Sequence, residues 1–251
     1  MSGHSKWSTI KRKKGAADAK RGAVFTRITR ELVMAAREGG GDPSANFRLR
    51  LAVDKARAEN MPKDNIERAI RRGTGADKDA AAFEQVFYEG YAPHGVAVMI
   101  ECVTDNRNRT VAELRHALTK AGGSLGELGS VAWQFERSAY FSFPASAMNY
   151  DKAFELGIEA GANDVNEDNG TIEIIGPGET FKGIADRLHA AGVQPDDAGL
   201  RMLPKQELEL DVSQTVQVMR TLDTIEEMDD VQNVFSNLKV SDQALAALEA
   251  A

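Results

Sequence analysis

The chain has 251 residues, 42% of them hydrophobic and 27% charged, with a formal net charge of −7. That suits a folded protein of one to three domains and speaks against a membrane protein, because apolar runs such as Gly95 to Ile100 fall far short of the ~20 residues a span needs. The single cysteine, Cys102, allows no intrachain disulfide and lies in an apolar run, which suits a buried thiol in a reducing compartment such as the cytoplasm.

Charge is divided along the chain. Residues 1–75 hold 18 Lys and Arg against 8 Asp and Glu, a net +10, and the remainder holds 13 against 30, a net −17. A basic module on an acidic body points to a polyanion partner, with nucleic acid the commonest. Residues 1–15 lack apolar periodicity and read as an arm carrying Lys11, Arg12, Lys13 and Lys14. The arm has no apolar stretch behind its cations and so does not read as a secretory signal.

A helix then starts near Ala16, with Val24, Ile28 and Leu32 on one stripe, and Gly39-Gly40-Gly41 ends it. A second helix is expected from about Ser44 to Asn60, stopped by Met61-Pro62. A short third helix buries Ile66, Ala69 and Ile70, and Gly73-Thr74-Gly75 closes it. These segments predict a three-helix bundle over residues 1–80. Its arginines outnumber its lysines on the helices, and arginine's planar fork suits bidentate phosphate contact. Ordinary solvation of a helix face is the bland alternative.

From Phe83 the pattern turns to strands. "EQVFYEGYA" and "GVAVMIECVTD" are strand-like around the turn Pro93-His94-Gly95. "RTVAELRHALTKAGG" is an amphipathic helix, with Thr110 and Glu113 spaced as a capping box. "SVAWQFERSAYFSFP" is extended chain, expected to pass from one strand to another near Arg137-Ser138. The segments that follow alternate as helix, hairpin, helix and strand, with Asn169-Gly170 a type I′ turn signal. With "AYFSFP" they make a β-α-β-β-α-β unit, ferredoxin-like, over 138–204. "QELELDV", "SQTVQVMRTLDTIEEM" and "DVQNVFSNL" then complete the earlier domain. The expected organisation is therefore multidomain α and α+β: the basic bundle, a discontinuous middle domain of 81–137 plus 205–240, the inserted domain of 138–204, and a tail of 241–251.

Chemistry is sparse. His4, His94, His116 and His189 sit on separate elements without ligand spacing, so no metal is expected. No nucleotide-binding or nucleophile motif is present. Gly126-Glu127-Leu128-Gly129 is a literal GxxG, but it lies between a helix and a strand and Glu127 would repel phosphate, so a plain loop is favoured. Glu226-Glu227 and Asp229-Asp230 read as a solvated turn. "TDNRNRT" precedes a helix N-terminus and has two readings of equal weight. In one, Arg107, Asn108, Arg109 and Thr110 form an anion site. In the other, the loop only satisfies turn and cap hydrogen bonds.

The combination Gly3-His4-Ser5-Lys6-Trp7, "DAKRG", "GGGDPSAN", "NMP", "RGTG", "YEGYAP", "TDNRNRT" and "GSVAW" resembles the YebC/PmpR family. That group also holds the mitochondrial translational activator of cytochrome c oxidase subunit I. The resemblance covers nearly the whole chain and is densest over 3–135. It implies three domains with the third inserted in the second; it implies no enzymatic activity, and no cofactor is expected. Some members are described as probable DNA-binding transcriptional regulators, and others resemble translation factors acting on the ribosome. Three positions depart from the family pattern: Ala23 for a lysine, Phe47 for a proline and His94 for a glycine.

The expected function is thus a non-enzymatic, cytoplasmic, nucleic-acid-binding regulator of gene expression, acting on DNA or, alternatively, on ribosomal RNA. A ligand-binding or catalytic role for a cleft between the acidic domains is a lesser alternative. The residues expected to contact nucleic acid are Lys6, Trp7, Lys11, Arg12, Lys13, Lys14, Lys20, Arg21, Arg27, Arg71 and Arg72. Most of these cations suit phosphates rather than base edges.

Overall fold

A computed structural model describes residues 18–76 and 83–250. The basic region forms three helices, α1 (Asp18–Gly39), α2 (Phe47–Ala58) and α3 (Lys63–Gly73). Ile28, Leu32, Ala35 and Ala36 of α1 pack with Leu49, Ala52 and Val53 of α2 and Ile66 and Ala69 of α3, all of them buried. Gly73 makes the close crossing possible, because a Cβ there would stand 2.4 Å from the Val33 carbonyl oxygen and 2.7 Å from the Ala36 methyl.

The second helix is shorter than the sequence suggested, and Asn46 is the reason. Its Oδ1 accepts from the Leu49 N–H at 3.1 Å, while its Nδ2 donates to the carbonyls of Ala35 at 2.7 Å and Gly40 at 2.8 Å. One buried side chain thereby caps the start of α2 and the end of α1. Ser44, outside the helix, bonds Asp42 instead. Phe47 occupies the first helical position, where proline is also well suited. His94 adopts φ 62°, a left-handed conformation that glycine takes without a steric cost.

The middle domain has a sheet in the order β3-β1-β2-β9, built from β1 (Glu84–Tyr91), β2 (Ala97–Thr104), β3 (Ser124–Leu125) and β9 (Val231–Ser236). Every residue of β2 is buried. Val98, Ile100 and Cys102 join the core made with α4 (Arg107–Ala121) and α7 (Val212–Glu226), whereas Val103 joins the core of the three helices. Burial on both faces explains why Ala97 to Ile100 is an unbroken apolar run rather than an alternating one, and the buried Glu101 that follows accepts hydrogen bonds from the Gln85 and Asn233 amides. The strand that completes the sheet beside β2 comes from beyond residue 204, so the sheet is built from two separate stretches of chain.

The chain divides into two compact units, Phe135–Pro204 and the remainder. The smaller has the order β4 (Phe135–Pro144), α5 (Tyr150–Glu159), β5 (Asp164–Asp168), β6 (Thr171–Pro177), α6 (Phe181–Ala190) and β7 (Asp197–Pro204). Its antiparallel sheet runs β5-β6-β4-β7, the ferredoxin-like arrangement. Phe141, Phe143, Ile172, Ile174, Ile184 and Leu188 fill its core. β4 is a single strand, correcting the break expected near Arg137-Ser138. It pairs with β7 without interruption from Phe135 to Ser142. In the larger unit, β8 (Leu208–Glu209) pairs with β10 (Leu238–Lys239), and α8 (Asp242–Ala250) follows. Among the described residues no helix is long and apolar enough to cross a membrane.

Candidate nucleic-acid interface

Lys6, Trp7, Lys11, Arg12, Lys13 and Lys14 lie outside the described residues, and Lys20 and Arg21 fall in the first turn of α1. Further along α1, the arginines turn inward. Arg27 donates to the carbonyl of Glu226, at the C-terminal end of α7, where helix carbonyls lack intrahelical donors and the dipole favours a cation. Arg30 is only 7% exposed and pairs with Asp230 at 2.7 Å. Arg37 donates to the Phe83 carbonyl at 2.6 Å. These bonds dock α1 on the middle domain. Arg27, expected from the sequence to contact nucleic acid, here satisfies a helix end.

On α3, Arg72 is half-buried, with its guanidinium carbon 4.0 Å from the centroid of the Phe83 ring, and Arg30 approaches the same ring at 5.4 Å. A cation stacked on a partly desolvated ring gains about 0.5–2 kcal/mol, which holds Arg72 to the fold rather than to a phosphate. Arg48 pairs with Glu38 and Lys55 with Glu31, while Arg50 lies over Phe47. Arg68 and Arg71 are exposed, and no ion pair ties them among the described residues. Of the helix positions chosen from sequence with described side chains, Arg71 therefore keeps an open surface and Arg27 and Arg72 do not.

The "TDNRNRT" loop is organised around the carboxylate of Asp230. Asp230, expected in a solvated turn, is 2% exposed. It accepts from the hydroxyls of Thr110 at 2.7 Å and Thr104 at 3.0 Å, and from the Arg109 guanidinium at 2.9 and 3.1 Å. With Arg30 this brings four side chains onto one carboxylate. Burial alone raises its carboxyl, but the bonds from Thr110, Arg109 and Thr104 and the Arg30 charge outweigh burial and hold it below the ordinary aspartate value. The anion that Arg109 and Thr110 bind in this structure is thus the protein's own. Arg107 pairs outward with Glu84. The cap of α4 is Asn106, whose Oδ1 accepts from the Arg109 N–H at 3.1 Å; the Thr110–Glu113 capping box is not formed, because Thr110 already lies inside the helix.

A second internal carboxylate shapes the glycine-rich loop. Glu89, 3% exposed on β1, accepts from the backbone N–H groups of Gly129 at 2.7 Å and of Val131 and Ala132 at 2.8 Å. Burial pushes its carboxyl up, and the three N–H bonds prevail and lower it. The loop is so held with Leu128 and Trp133 exposed, and the Trp133 indole N–H donates to the Ser130 carbonyl at 3.2 Å. Neither Glu89 nor Asp230 was legible as a site residue. Each is separated by tens of residues from the loop it organises, and only sheet pairing brings them together. Among the described residues no group of three His, Cys, Asp or Glu is placed to hold a metal.

A family model described as the TACO1/YebC protein N-terminal domain matches residues 5–76, and one described as the TACO1/YebC second and third domain matches residues 83–238. A "Probable transcriptional regulatory protein" of Geotalea uraniireducens is 49% identical over 245 residues, covering 98% of each chain. A protein of the same name from Trichlorobacter lovleyi is 50% identical over 241 residues, covering 96% of this chain and 97% of its own. The crystal structure of a conserved hypothetical protein from Aquifex aeolicus superposes with a TM-score of 0.81 at 41% identity, covering 90% of this chain and 93% of that one.

Proposed function

The chain belongs to the TACO1/YebC family, and from that premise we propose that it is a non-enzymatic, cytoplasmic regulator of gene expression that binds nucleic acid through its backbone. The name its relatives carry supports a regulator of transcription, and hence DNA as the target. The observation that carries the reading is the concentration of charge: residues 1–21 hold seven Lys and Arg against one acid, Asp18. In this reading Lys6, Lys11, Arg12, Lys13, Lys14, Lys20 and Arg21 make sequence-independent phosphate contacts, and Arg71 extends the surface. Trp7 stacks on a base or ribose, an interaction worth about 1–3 kcal/mol. The acidic remainder of the chain is repelled by the polyanion and faces other partners.

One observation favours ribosomal RNA as a second target. With Arg27, Arg30 and Arg37 bonded inside the fold and Arg50 and Arg72 over aromatic rings, α3 offers base edges only the pair Arg68 and Arg71, one turn apart, among the described residues. Recognition by shape and backbone suits structured RNA, whereas reading a promoter needs base contacts.

Salt dependence tests the arm. Neutralising ~6 phosphates on duplex DNA gives a log–log slope near −5, and replacing Lys11, Arg12, Lys13 and Lys14 with alanine flattens it by up to ~4. An unchanged slope refutes docking by the arm. Ultraviolet crosslinking in cells, with recovery of both DNA and RNA, separates the targets: crosslinks confined to promoters favour transcription, and arm-dependent crosslinks on ribosomal RNA favour translation.

A further inference from the structure

We propose that the exposed side of α5 is a docking surface for a basic amphipathic segment of another protein. Exposed apolar residues scattered singly are ordinary. Here Tyr150, Phe154 and Ile158 are 37%, 44% and 48% exposed and recur at every fourth residue, so they form one stripe along one helix. The stripe is preformed. The Tyr150 hydroxyl donates to the Val165 carbonyl at 3.2 Å, and the Tyr150 and Phe154 rings lie 6.0 Å apart. Tyr150, Asp151, Phe154 and Glu155 line a shallow depression of about 400 Å³.

Charge selects the occupant. Asp151 and Glu155 follow the stripe along its outer side, and Asp164, Glu167 and Asp168 are exposed on β5, the edge strand onto which α5 packs. Lys152 is the cation of α5. The whole unit, residues 135–204, carries five Lys and Arg against twelve Asp and Glu, a net −7. A nucleic acid is repelled by such a rim. A second copy in a two-fold pair would set acidic ridge against acidic ridge, because such interfaces bring the same patch together from both sides. A segment with apolar side chains at helical spacing between lysines or arginines meets both the stripe and its rim. This surface is independent of the nucleic-acid reading, since it lies in the other compact unit.

The test is in-cell photocrosslinking of the full chain with p-benzoylphenylalanine in place of Phe154, and the same group in place of the exposed Thr119 as control. The crosslinked segments are mapped by mass spectrometry. The expected product is a segment of another protein with net positive charge and apolar residues three or four apart, and Asp151→Lys with Glu155→Lys cuts its yield about fivefold or more. Circular dichroism of the purified variants confirms that they fold. The proposal is overturned if the product is a second copy of this chain, nucleic acid or an acidic segment. It is equally overturned if the yield ignores the charge reversal or stays at the level of the control position.

Discussion

Asp230→Asn tests the buried ion pair that joins α1 to the segment before β9. The substitution keeps the volume and allows the threonine hydroxyls to find a carbonyl oxygen, but it removes the counter-ion of Arg30. Arg30 cannot rehydrate: it is 7% exposed, and its Nε and Nη1 have no hydrogen-bond partner. Arg109, whose side chain is 44% exposed, rehydrates and contributes little. Breaking a buried pair so as to strand one charge costs about 3–5 kcal/mol. Against a total stability of about 5–15 kcal/mol, that is a large fraction. At about 2–4 °C per kcal/mol it lowers Tm by roughly 6–20 °C. Urea unfolding and calorimetry read the loss. The double variant Arg30→Met/Asp230→Asn removes the stranded charge and recovers part of it, with a coupling of about 0.5–3 kcal/mol. The pH dependence has a fixed sign. Because the folded carboxyl titrates below the ordinary aspartate value of 3.8, its stabilisation is present at neutral pH and is lost as pH falls below that value. The variant lacks this acid limb. A single variant within about 1 kcal/mol of the parent, with strictly additive double-variant energies, refutes the buried-pair reasoning.

Glu89→Gln places a donor where loop N–H groups already point. It strands at least one of them, costing about 1–3 kcal/mol, and hydrogen exchange at Gly129, Val131 and Ala132 accelerates while α4 amides stay protected. Burial pushes the Cys102 thiol up to about 12, so an aromatic disulfide reagent at about pH 8 modifies it only as fast as the protein unfolds; rapid labelling of the native protein would show an open core. Gly73→Ala drives a methyl into the Val33 carbonyl and costs about 1–3 kcal/mol, measurable by urea denaturation. A neutral Gly73→Ala would show that the crossing of α1 and α3 is not held as close as the Val33 carbonyl contact requires.

Much of the fold was legible because it rests on local signals. Gly39-Gly40 ends α1, Asn169-Gly170 turns the hairpin with φ 50° and 76°, and the β-α-β-β-α-β order follows from periodicity. The cap of α2 was harder. Ser44 and Asn46 both suit an N-cap, and only Asn46 carries an amide that can also reach the carbonyls closing α1. The charged residues were least legible. A sequence window sees Arg27 and Arg72 as cations off an apolar stripe, and it cannot see the α7 carboxyl end or the Phe83 ring that receives them. "EEMDD" shows the same limit, because β9 enters the sheet immediately afterwards and carries Asp230 under α1 and α4 while Asp229 remains exposed.

These inward arginines sharpen the functional argument. Of the net +10 on residues 1–75, the first 21 residues alone account for +6, and several of the remaining cations serve the fold. In the proposed reading, the charge offered to a polyanion is therefore concentrated in residues 1–21. The two roles separate by mutation. Removing arm cations lowers the salt slope without changing Tm, whereas Arg27→Ala or Arg72→Ala lowers Tm and leaves the slope in place. If Arg27→Ala instead flattens the slope by about 1 with no loss of stability, Arg27 faces phosphate in solution and the docking of α1 through the Glu226 carbonyl is wrong.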